Sequence, residues 1–188
     1  AWPTSTVSSH PTFTWRLDVD LGGPDGNSVV KTSHIEPLPG LSATDVEELI
    51  LTEGGLLWTP EDFTTLEVEG PATLLNANGR RTTYELIPLR SGTARHNEAF
   101  TSKDFWVTRH DPTQVRGKDL PSYDDGESVV DTDVVVWYTG AVHHENVLRD
   151  EEHSTVPLKW VGFELSPKNV SSDTPLYPLV ERSRFRRR

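Results

Sequence analysis

Short runs of alternating apolar and polar side chains, each stopped by Gly, Pro, Asn or Asp, dominate this chain. Phe13 to Leu21 (FTWRLDVDL) alternates, Gly22-Gly-Pro-Asp-Gly26 makes a loop, and Ser28 to Lys31 resumes extended structure. Pro71 to Asn76 and Arg81 to Pro88 flank Asn78-Gly79, a hairpin signal because both residues tolerate positive φ. Phe105-Trp-Val-Thr-Arg109 is a further strand, ended by Asp111-Pro112. Asp133 to Val142 and Val156 to Leu165 complete the series. Two short helices are predicted between strands. Ser42-Ala-Thr-Asp45 resembles a capping box ahead of Val46 to Leu51, and Thr59-Pro60-Glu61-Asp62 sets a cap before an N1 proline. Arg116 to Glu127 reads as a polar loop. Without internal repeats or βαβ alternation, the pattern predicts a mainly β protein, a β-sandwich with two short helices.

The run Asp133-Val-Val-Val-Trp-Tyr-Thr-Gly-Ala-Val-His143-His144 carries the most chemistry. It has the composition of a buried strand, begins on a carboxylate and ends on two adjacent imidazoles. Successive strand side chains point to opposite faces, so only one of His143 and His144 can look inward. A histidine at a rigid strand end suits a metal ligand, and equally an ordinary hydrogen-bonded role.

Composition narrows the classes. At 188 residues the chain has the size of one domain with a substantial core. No apolar stretch reaches the roughly 18 residues of a membrane-spanning helix. Zero cysteine excludes disulfides and thiolate sites, and zero methionine makes Ala1 the expected product of processing, by signal-peptide removal or cleavage of a longer precursor. The net charge is −11, and subtracting the five arginines of Arg182-Ser-Arg-Phe-Arg-Arg-Arg188 leaves −16 on the rest. Such a body repels nucleic acid and anionic membrane and concentrates cations. The division expected is a sandwich over 1–181 and a basic tail over 182–188. The tail suits either an acidic partner or a disordered, solubilising end.

Five segments in order resemble the C-terminal part of the catalytic domain of the copper-containing, quinone-dependent amine oxidases. They are Phe13-Thr-Trp-Arg-Leu-Asp-Val-Asp20, Thr83-Tyr-Glu-Leu-Ile-Pro88, Phe105-Trp-Val-Thr-Arg109, Asp131-Thr-Asp-Val-Val-Val-Trp-Tyr-Thr139 with His143-His144, and Gly162-Phe-Glu-Leu-Ser-Pro167. The resemblance runs nearly the length of the chain and implies the later part of a large β-sandwich.

It also implies copper held by a His-x-His pair ahead of the Arg-Leu-Asp strand and one histidine beyond the Trp-Tyr strand. The last position is His144. The pair falls on Ser9 and Pro11, with His10 in the middle, so two of three ligands are replaced. Proline has no ligating side-chain atom and serine is a poor copper ligand. A one-residue shift that brought His10 into use would reverse its strand face. An intact copper site is therefore not expected. The family's quinone arises from a tyrosine in Asn-Tyr-Asp/Glu, and none of Tyr84, Tyr123, Tyr138 or Tyr177 follows an asparagine. Topaquinone is thus not expected in this chain, and the family's catalytic aspartate also belongs to an upstream region. The reaction belongs to the cofactor's chemistry, so this chain alone has no route to it.

A second metal position survives better. The resemblance implies a structural Ca²⁺ held by Asp18, Asp20 and Asp133 with the carbonyls of Val19 and Val134. Asp18 and Asp20 share one strand face, and a third carboxylate would complete an all-oxygen site for a hard cation. On spacing alone, solvated edge carboxylates are the plainer reading. Other departures are an altered Glu145-Asn-Val-Leu-Arg149-Asp-Glu151, a reduced Thr155-Val-Pro157, and a Pro88-to-Phe105 connection shorter than the family's dimer-embracing arm. Asn169-Val-Ser171 is a glycosylation sequon consistent with secretion.

Three functions compete. One is a secreted, catalytically degenerate, calcium-stabilised binding module, as a homo-oligomer. Another is one chain of a processed amine oxidase paired with a longer, complementary chain. The third is a repurposed enzyme with a pocket near His144, Trp137 and Tyr138, with His143, His110 and Asp111 as further candidates; His110-Asp111-Pro112 reads more simply as a turn.

Overall fold

The structure is a computed structural model and describes residues 8–35, 44–89, 97–145 and 160–172. Eleven strands are formed there, all paired antiparallel: β1 (Ser8–Ser9), β2 (Thr12–Asp18), β3 (Ser28–Ile35), β4 (Thr44–Leu49), β5 (Gly54–Leu56), β6 (Thr65–Glu69), β7 (Thr83–Leu89), β8 (Phe105–Arg109), β9 (Val134–Ala141), β10 (His144–Glu145) and β11 (Gly162–Lys168). They make a five-stranded sheet in the order β11-β7-β6-β3-β4, a four-stranded sheet in the order β2-β9-β8-β5, and a β1-β10 ribbon.

The core explains why β9 reads as an unbroken apolar run. Val134, Val136 and Tyr138 pack with Phe105 and Val107 of β8 against Val29, Leu66, Val68 and Leu86 of the five-stranded sheet. Val135 and Trp137 project from the other face and pack with Trp106, Leu120, Phe100 and Tyr123. Leu120 and Tyr123 bound a four-residue helix, α1 (Leu120–Tyr123), which caps that face. A strand buried on both faces loses its polar alternation. Each fully buried large side chain there contributes roughly 1.5–3 kcal/mol of transfer free energy.

The structure departs from the sequence pattern in identifiable places. Val46 to Leu51 is not a helix: β4 runs through it, in register with β3 from Val30↔Leu49 to Ile35↔Thr44. Its described side chains are exposed, and Asp45, Glu47 and Glu48 give it the charged character that protects sheet edges. The Pro60–Asp62 turn is 3₁₀, and its N-cap Thr59 makes no side-chain cap bond. Arg116 to Glu127 is not wholly loop, since a 3₁₀ turn (Gly117–Asp119) and α1 form within it. The Asn78-Gly79 turn forms, with Gly79 at φ 73° and its N–H donating to the Asn76 carbonyl at 2.9 Å. Only Leu75, paired with Arg81 as a single bridge, represents the strand expected before it. The regular partners of β7 are β11 and β6, and the pattern did not reveal β6. Among the described residues the last strand runs over Gly162–Lys168; residues 156–159, 149–151 and the 182–188 tail lie outside the described residues.

Candidate metal centre

One end of the β2–β9 pair gathers the predicted carboxylates. Asp18 ends β2 opposite Val135, Asp20 follows two residues on, and Asp133 immediately precedes β9. One carboxylate oxygen from each of the three lies within 4.8 Å of the others. Asp133 Oδ1 is buried and has no hydrogen-bond partner among the described residues. Burial raises the Asp133 pKa above the ordinary carboxylate value; the charges of Asp18 and Asp20 push it further up, and His110 opposes them. Three clustered carboxylates, of which Asp133 resists ionisation and keeps one buried oxygen facing no donor among the described residues, are chemically suited to a hard cation with oxygen ligands. The Val19 carbonyl accepts the Leu21 N–H at 3.2 Å and has a second lone pair to offer. Val134 begins β9 opposite Arg109.

Two nitrogen-bearing side chains, Arg16 and His110, border the trio. Arg16 Nη1 meets Asp18 Oδ2 at 3.0 Å while its guanidinium lies 5.7 Å from the Trp137 ring centroid. His110 Nδ1 lies 3.1 Å from Asp133 Oδ2, and its Nε2 lies 3.5 Å from Asp18 Oδ2. The sequence suggested only a turn at His110-Asp111-Pro112. The turn forms, with Asp111 Oδ1 accepting the Thr113 N–H and Oγ1–H at 2.7 Å each. The His110 side chain nevertheless belongs to the acidic cluster. Register supplies the reason: β8 and β9 pair to Arg109↔Val134, so the next step sets His110 beside Asp133, where its N–H donates to the Asp133 carbonyl at 2.9 Å.

Glu53 is a second group that sequence reasoning missed. It is buried and accepts the N–H groups of Arg109 at 2.7 Å and Asp125 at 3.0 Å. Burial raises its pKa, and these backbone bonds oppose the rise. The carboxylate ties the 124–127 loop to the end of β8, next to His110.

The copper-related positions lie at the other end of β2 and β9. Register carries on without a slip from Asp18↔Val135 through Thr12↔Ala141 to Ser9↔His144, with the Val142 N–H donating to the Pro11 carbonyl at 3.1 Å between them. Position 9 therefore stands opposite His144. His10 stands opposite His143, and their rings stack with centroids 4.5 Å apart and planes at 25°. The structure brings Asp18, Asp20 and Asp133 together and keeps them apart from the histidine pair. Trp137 and Tyr138, the suggested walls of a small-molecule pocket, are instead core residues on opposite faces of β9. The Trp137 indole N–H donates to Thr108 Oγ1 at 3.1 Å.

The family model for the copper amine oxidase enzyme domain matches residues 5–185. This chain belongs to the copper amine oxidase family. It is 26% identical over 193 residues to a primary amine oxidase of Klebsiella aerogenes, covering 87% of this chain and 25% of that protein. It is 28% identical over 197 residues to the copper-containing amine oxidase gamma 1 of Arabidopsis thaliana, covering 87% of this chain and 27% of the relative. The fold agrees with an Aspergillus nidulans amine oxidase structure at a TM-score of 0.67 and 19% identity, over 87% of this chain and 26% of that one. The chain thus spans about a quarter of the length of the amine oxidases it matches. Among the described residues, no helix is long and apolar enough to cross a membrane.

Proposed function

We propose that this chain is a calcium-stabilised module of the copper amine oxidase fold, a secreted scaffold for binding that has no amine oxidase activity by itself. The observation that carries the reading is the convergence of Asp18, Asp20 and Asp133 within 4.8 Å around a buried, unpartnered Asp133 oxygen. Bound Ca²⁺ would take these carboxylates, with the Val19 and Val134 carbonyls as neutral ligands, and relieve their mutual repulsion. This chain's part is then to fix the β2 and β9 ends and to hold His110 and Arg16 beside the cluster. Ser9 and Pro11 in place of two imidazoles, and four tyrosines none of which follows asparagine, support the inactive reading. The sequon at Asn169 supports secretion.

Calorimetric titration of chelator-treated protein should find one Ca²⁺ per chain in the wild type and none in Asp18→Asn/Asp133→Asn. Amine-dependent oxygen uptake should be absent even with Cu²⁺ added. A visible quinone band with copper-dependent uptake would refute the inactive reading, and a flat Ca²⁺ isotherm the calcium one.

A second reading is a chain that pairs with a longer, complementary amine oxidase chain. It is favoured by large apolar side chains left exposed, among them Trp160 at 78% and Leu51 at 62%. The outer edges of β4, β5, β11 and β2 also have no partner strand among the described residues. It predicts a co-purifying second polypeptide; a monodisperse particle with the mass of one chain contradicts it. A homo-oligomer would give multiples of the chain mass instead.

A further inference from the structure

We propose that His10 and His143 form a separate, two-imidazole site for a borderline divalent cation such as Cu²⁺ or Zn²⁺, on positions other than Ser9, Pro11 and His144. The site does not depend on the calcium reading.

Backbone geometry builds the pair. The Pro11–Val142 pair carries a ladder hydrogen bond, from the Val142 N–H to the Pro11 carbonyl, and the register is unbroken to Ser9↔His144. Hydrogen-bonded and non-hydrogen-bonded pairs alternate along an antiparallel ladder, so His10 and His143 form a non-hydrogen-bonded pair. Side chains approach most closely at such pairs, with Cβ atoms about 4.5–5.5 Å apart. The observed ring separation of 4.5 Å agrees. Pro11 has a fixed φ and no N–H, so it stiffens the strand next to His10.

The chemistry then follows from the imidazoles. Metal–nitrogen bonds of about 2.0–2.1 Å at a tetrahedral angle place two ligating nitrogens about 3.3–3.4 Å apart. The rings stack in the metal-free state, with centroids 4.5 Å apart and planes at 25°, so ligation requires both side chains to turn until their in-plane nitrogens converge on the ion. His10 is only partly buried and His143 is exposed, so a hydrated ion has access and water can fill the remaining positions. Imidazole nitrogen favours copper, zinc and nickel, whereas calcium and magnesium require oxygen. Ca²⁺ should therefore not compete. Strand alternation separates positions 10 and 143 from positions 9 and 144, so this pair is distinct from the position that His144 occupies.

The test is a Cu²⁺ titration of the full chain in excess Ca²⁺, followed by calorimetry and by electron paramagnetic resonance for nitrogen coupling. One Cu²⁺ with two coupled nitrogens is expected. His10→Gln and His143→Gln should each weaken binding at least as much as the about 10–100-fold seen on losing an outer-shell partner, while His144→Gln leaves affinity and spectrum unchanged. Thermal melting of each variant confirms that it is folded. Absence of wild-type binding overturns the proposal. So does binding that survives both His10→Gln and His143→Gln, or that disappears in His144→Gln.

Discussion

With no cation bound, Asp133 faces Asp18 and Asp20 at short range, and His110 Nδ1 meets its Oδ2. Its folded-state pKa is raised by burial and by the other two carboxylates. The folded chain therefore holds this proton more tightly than the unfolded chain. As pH rises from the ordinary carboxylate value through the raised one, the group withdraws stability, and the full penalty stands above the raised value. Asp133→Asn removes that penalty while keeping the shape. Metal-free Asp133→Asn should thus melt no lower than metal-free wild type at pH 7, and the gap should close as pH falls into the carboxylate range. A large loss of stability in the metal-free variant would show that the charge is needed for something other than a cation. Glu53 behaves differently, because two backbone N–H groups depend on it. Glu53→Ala strands them and should cost about 1–3 kcal/mol in urea unfolding. A neutral result would mean that the 124–127 loop is not held through this carboxylate.

At the scale of elements, β9 organises the molecule by having a core on each face. Trp137→Ala empties the side under α1, and Phe105→Ala empties the side between the sheets. Each should cost about 3–5 kcal/mol, whereas Leu51→Ala, at an exposed position, should stay within about 0.5 kcal/mol. Chemical denaturation that ranked the three equally would contradict the two-core arrangement. The continuous apolar run of β9 was readable in the sequence for the same physical reason, as was the alternation of β2. The strand β4 was not. Ser42 to Asp45 offers helix-capping residues, and local propensity gives way when β3 presents a free ladder to pair with. The charges on β4, which suited a helix surface, are those of a sheet edge. β6 also alternates, as Thr65-Leu-Glu-Val-Glu69, but over five residues only and close behind the helix signal at Thr59-Pro60; its polar positions include the carboxylate of Glu67. That carboxylate is buried on the sheet, paired with Lys168 Nζ at 2.6 Å and the Thr32 hydroxyl at 3.0 Å. The three aspartates could be chosen from the resemblance, but spacing alone could not add His110, because its place depends on the β8–β9 register.

Across the whole molecule, the β2–β9 pair carries a carboxylate cluster at one end and a histidine pair at the other. A chain of net charge −11 attracts cations to both. Family membership accounts for the sandwich, and the acidic cluster suggests what steadies it. The most direct measurement is thermal unfolding of wild type and Asp133→Asn in excess chelator and in excess Ca²⁺. Free Ca²⁺ at a hundred times Kd adds about 2.7 kcal/mol. At about 2–4 °C per kcal/mol for a domain of this size, that corresponds to a rise of about 5–10 °C in wild-type Tm. The variant should show no Ca²⁺ response. A wild-type midpoint that ignores Ca²⁺, or an equal rise in both proteins, would contradict a calcium-stabilised fold centred on Asp18, Asp20 and Asp133.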